Sequence, residues 1–92
     1  MNDQAQKIIF EELSGMLRER GQTPPDKLQG SFLSVIDSLQ FVDLMLRVER
    51  RTGVILDVSG VDLAELVKVD SLVALLATTL DTQFRPGTGT DG

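Results

Sequence analysis

A chain of 92 residues with 41% hydrophobic content holds one packed domain and has no room for a second core. It has no Cys and no His, so disulfides, thiol nucleophiles, the usual metal ligands and the side chain that titrates near neutrality are all missing. A formal net charge of −5 repels nucleic acid and anionic membranes and attracts basic protein surfaces.

Asp, Glu, Ser and Lys remain, but self-contained catalysis is disfavoured, and the chain reads as a binder, a regulator or a carrier of imported chemistry. Met1-Asn2-Asp3-Gln4 lacks the basic and apolar regions of a signal peptide, and no apolar run is long enough to span a bilayer. The expectation is a soluble, cytoplasmic monomer that neither inserts into membranes nor binds nucleic acid.

Between Ala5 and Arg20 the apolar residues Ile9, Leu13, Met16 and Leu17 keep helical spacing, flanked by Ala5 and Phe10, and predict a first helix over about 4–20. Gly21 ends it as a C-terminal cap, and Thr23-Pro24-Pro25-Asp26 prevents its resumption. Residues 21–36 form a long connection whose Leu28, Phe32, Leu33, Val35 and Ile36 follow no clean period. Loops of this length inside a compact domain are functional or held down by their own side chains, and Phe32 is the expected anchor.

A second helix is predicted from Asp37-Ser38 to about Arg51. It carries two apolar stripes: Phe41, Leu44, Met45 and Val48 on one face, and Leu39, Val42 and Leu46 on an adjacent one. A single buried stripe needs fewer residues than these seven, so the second stripe is expected to be partly exposed and to mark a partner site. Val61 to Leu66 reads as a short third helix, and Asp70-Ser71 opens a fourth that carries Leu72, Leu75, Leu76 and Leu80. The Gly/Thr-rich stretch 85–92 is expected to be a disordered tail beyond a domain of residues 1–84. The predicted fold class is all-α: a small bundle of three longer helices and one short one, with a long first loop.

Asp37 suits the N-cap of the second helix, and Gln40, three residues on, completes a capping box. Ser38 then occupies the first helical position with its hydroxyl free, at the positive end of the helix dipole, where a phosphate ester is favoured. Asp-Ser before an apolar helix is also a common start signal, and the same tripeptide recurs at Asp70-Ser71-Leu72. The tripeptide alone does not choose between the two serines.

From about residue 5 to 83 the chain resembles the acyl carrier protein family. The resemblance is carried by the order of helices, the long loop, and the run Ile36-Asp37-Ser38-Leu39-Gln40-Phe41-Val42-Asp43-Leu44-Met45-Leu46-Arg47-Val48-Glu49 followed by Thr52-Gly53-Val54. It implies that Ser38 receives 4′-phosphopantetheine from coenzyme A, with Asp37 helping to orient the transferase's magnesium. It implies a non-catalytic carrier of acyl thioesters for fatty-acid, polyketide or related biosynthesis, with a phosphopantetheinyl transferase and acyl-processing enzymes as partners. By the same resemblance Leu39, Val42, Asp43, Leu46 and Glu49 face those partners, and Leu44, Met45 and Val48 line an acyl pocket. Ser71 matches an ordinary helix cap.

The chain departs from the family at Ser34-Val35-Ile36, where a Gly is common, at Thr52, where an aromatic residue is common, and at Arg47, Arg50 and Arg51 in a helix that is usually acidic. Those arginines suit the negative end of the helix dipole or a partner of different charge pattern. The absence of Gly-Gly before the serine argues against peptidyl carriers. Two other readings compete: an unmodified interaction module using the Leu39/Val42/Leu46 face, and a Ser38 nucleophile, which lacks a nearby base.

Overall fold

The computed structural model describes residues 2–84, so the tail at 85–92 lies outside it. It is an all-α bundle: α1 (Asn2–Glu19), a 3₁₀ turn (Phe32–Ser34), α2 (Ser38–Thr52), the short α3 (Leu63–Leu66) and α4 (Val69–Phe84). Among the described residues no strand forms, and one isolated antiparallel bridge pairs Ser31 with Lys68.

Helix α1 starts two residues earlier than its apolar spacing predicts and stops at Glu19. Its end is set by hydrogen bonds: Gly21 turns left-handed (φ 75°), its N–H bonds Arg18 O at 3.0 Å, and Gln22 N–H reaches back to Leu17 O at 2.8 Å. This is a Schellman closure, which a Cβ at Gly21 would strain. Ala5, Ile8, Ile9, Leu13, Met16 and Leu17 are buried, and α1 packs on both α2 and α4.

Phe32 anchors the long loop as the sequence predicts, and its backbone as well as its ring takes part. The ring is buried and lies 5.5 Å from that of Phe41 on α2. The Phe32 N–H donates to Val67 O at 2.8 Å, and its carbonyl accepts from both Val35 and Ile36, each at 2.9 Å. Two residues earlier on the same strap, Gly30 O accepts the Val69 N–H at 2.8 Å. The loop is thus clasped to the α3–α4 junction by two backbone bonds spaced around the Ser31–Lys68 bridge.

That clasp explains two differences from the expected helices. Helix α4 begins at Val69 instead of at Asp70-Ser71, because the Val69 N–H is already bonded by Gly30 and the Lys68 carbonyl accepts from Ser71 and Leu72, both at 3.1 Å. Helix α3 is confined to Leu63–Leu66, because Val61 is taken by a turn in which its N–H bonds Val58 O at 3.1 Å. Leu66, Val67, Val69, Leu72, Val73, Leu76 and Ala77 complete the core, with Leu28, Leu75 and Leu80 packed at its edge.

Truncating Phe32 removes a buried ring that also fixes the loop. Phe32→Ala is expected to destabilise the domain by about 3–5 kcal/mol in urea unfolding. Leu33→Ala, at an exposed neighbouring position, should change stability by less than about 0.5 kcal/mol.

Candidate functional site

Helix α2 begins on a complete capping box. Asp37 is extended (φ −91°, ψ −179°), its Oδ1 accepts the Gln40 N–H at 2.8 Å, and Gln40 Oε1 accepts the Asp37 N–H at 3.0 Å. The second Asp37 carboxylate oxygen has no partner among the described residues. Ser38 is the first helical residue, is exposed, and its hydroxyl bonds nothing among the described residues. The helix dipole and the first-turn N–H groups that Asp37 leaves free favour negative charge at this end, which suits a phosphate ester on Ser38 Oγ.

The repeated tripeptide does not reproduce this setting. Asp70 and Ser71 lie inside the first turn of α4, after Val69, so Asp70 is no N-cap there. Ser71 is half-buried and its N–H is tied to Lys68 O. The structure therefore distinguishes two serines that the tripeptide does not.

The two stripes of α2 separate as their spacing predicts. Phe41, Leu44 and Val48 are fully buried, and Met45 packs against the same cluster. Leu44, Met45 and Val48 thus share one apolar floor beneath the helix. Leu39 is 81% exposed, Val42 47% and Leu46 49%. Ile55 (74%) and Leu63 (57%) add outward apolar surface that the sequence reading does not single out. The alternation Val54 in, Ile55 out, Leu56 in is the signal that would have found Ile55.

The charged residues of α2 also make bonds within the domain. Asp43 and Glu49, expected to face partners, each make an internal bond. Asp43 Oδ2 lies 3.5 Å from Arg20 and 3.3 Å from Arg47 Nε. Glu49 Oε2 accepts the Leu56 N–H at 2.8 Å and fixes the strand-like link behind Gly53, whose left-handed turn (φ 76°) closes the helix. Arg47 grips Glu19 at 2.6 and 3.2 Å, and Arg51 bonds Glu11 at 2.7 Å and Glu12 at 3.2 Å. These two arginines stitch α2 to α1, a role that neither dipole nor partner reasoning supplied.

The Arg47 guanidinium holds the Glu19 carboxyl below its ordinary value, and Glu19 in turn raises Arg47. Among the described residues no helix is long and apolar enough to cross a membrane. No family model, no curated protein and no solved structure matches the chain.

Because Glu19 is shifted down from 4.5, the stability it contributes is present above that pH and is lost as pH falls through the lowered value. Glu19→Gln should melt at a slightly lower temperature than the parent at about pH 7, with the gap narrowing as the pH is taken progressively below 4.5 in circular-dichroism melts. A gap that persists undiminished at the acidic end would remove the ion pair as its cause.

Proposed function

We propose that the chain is an acyl carrier protein whose Ser38 bears a 4′-phosphopantetheine arm. The observation that carries this reading is the free, exposed hydroxyl at the first position of α2. Its usual capping task is taken over by Asp37 and Gln40. A serine that is neither capping nor buried, at the positive end of a helix, suits a phosphate ester.

In this reading a phosphopantetheinyl transferase docks on α2. Ser38 Oγ attacks the β-phosphorus of coenzyme A, its proton passes to a base of the transferase, and adenosine 3′,5′-bisphosphate leaves. The uncommitted Asp37 oxygen beside the serine is available to the transferase's magnesium. The installed group supplies a thiol for carrying acyl cargo as a thioester. The chain itself contributes presentation and partner recognition, performs no acyl chemistry, and works in the cytoplasm with acyl-loading and acyl-processing enzymes. Tethering keeps the cargo at high local concentration around each partner site. Leu44, Met45 and Val48, on the core side of α2, supply the candidate lining for cargo.

The exposure of Leu39, Val42 and Leu46 also favours a second reading, an interaction module that is never modified. Incubation with coenzyme A and a broad-specificity transferase, followed by intact mass, separates the two. One phosphopantetheine addition is expected, absent in Ser38→Ala. An unchanged mass with a transferase shown to be competent on another carrier would favour the unmodified module.

A further inference from the structure

The two Asp-Ser-Leu tripeptides differ in the residue that follows them. After the first comes Gln40, whose Oε1 accepts the Asp37 N–H at 3.0 Å. After the second comes Val73, which is buried and offers no side-chain acceptor. Beside the clasp at Gly30, the second site therefore also lacks the group that closes a capping box. Gln40 is the third helical residue only when Asp37 is the cap. Serine caps a helix about as well as aspartate does, so a register starting one residue later, with Ser38 as cap, is close in intrinsic preference. There the third helical residue is Phe41, which cannot close a box, and the Ser38 hydroxyl oxygen accepts a first-turn N–H and is turned back onto the helix.

The observed register is held from two sides. From the core side, Ile36 before the cap and Phe41, the fourth helical residue, are buried in one cluster, the arrangement of a hydrophobic staple. From the solvent side, Gln40 holds the Asp37 N–H and so keeps Asp37 extended at the cap. Gln40 is half-buried and outside the core cluster, so this second hold can be removed without disturbing the first. We propose that Gln40 is a positioning residue for the modification of Ser38: its side-chain carbonyl keeps α2 in the register that leaves the serine hydroxyl outside the cap and open to the transferase. The inference rests on the carrier reading of Ser38 and adds the residue that sets how efficiently that serine is used. Gln40 acts through the Asp37 backbone, not on the reacting atoms.

The test compares the full chain with Gln40→Ala, which lacks the acceptor but favours helix, and Gln40→Glu, which keeps an acceptor at the same place. Transfer from coenzyme A by a broad-specificity transferase is followed by intact mass, and the Cα and Cβ chemical shifts of Ser38 in the unmodified proteins report whether its backbone is helical or extended. Gln40→Ala should raise KM for the carrier about fivefold with kcat unchanged, because a smaller fraction of the chain presents the competent register. Its Ser38 shifts should move from helical towards extended values. Gln40→Glu should stay within about twofold of the parent and keep helical shifts. Transfer to Gln40→Ala within about twofold of the parent overturns the proposal. So does a loss of transfer with Ser38 shifts unchanged, which would place Gln40 in direct contact with the transferase, or a loss in Gln40→Glu as large as in Gln40→Ala. Each of these leaves the carrier reading standing. No addition to the parent chain by a transferase competent on another carrier overturns the carrier reading itself and the positioning role with it.

Discussion

Phe32 ties together three parts of the domain: the long first loop, the α3–α4 junction and helix α2. Its N–H reaches Val67, its carbonyl closes the turn to Val35 and Ile36, and its ring rests on Phe41. Backbone groups buried in a loop must find partners, and here one residue satisfies both of its own while its side chain enters the core. With the strap fixed at Phe32, Ile36 is carried into the core and Asp37 emerges extended at the head of α2. Everything that distinguishes Ser38 follows from that delivery.

The capping box then assigns the work. Asp37 and Gln40 satisfy each other's backbone N–H groups, so the serine between them contributes nothing to the helix start. At the second Asp-Ser-Leu the clasp to Gly30 has already set the start of α4 one residue earlier, and the serine falls inside the turn. Identical tripeptides end in different places because a backbone bond from a distant segment outranks a local capping preference worth about 1 kcal/mol.

Much of the fold was legible in the sequence. Helical periodicity located α1, α2 and α4, Gly21 and Gly53 marked two ends, and Phe32 was recognisable as the aromatic anchor of the loop. The two faces of α2 were legible for the same reason: side chains three and four apart share a side whatever the tertiary context. The start of α4 and the length of α3 were not, because both depend on hydrogen bonds between residues far apart in the chain. The ion pairs of α2 were not legible for a related reason. Asp43, Glu49, Arg47 and Arg51 find partners on α1 and on the link after Gly53, and local sequence spacing does not place those partners.

The outer face of α2 is apolar along Leu39, Val42 and Leu46, and the free Ser38 hydroxyl stands at its start. The account turns on one claim, that the free hydroxyl of Ser38 is the acceptor of the arm and that Ser71 is a structural residue. The most direct measurement is proteolytic peptide mapping of the unmutated protein after reaction with coenzyme A and a transferase. The phosphopantetheine should be found only on the peptide containing Ser38. Label on the peptide containing Ser71 would contradict the account.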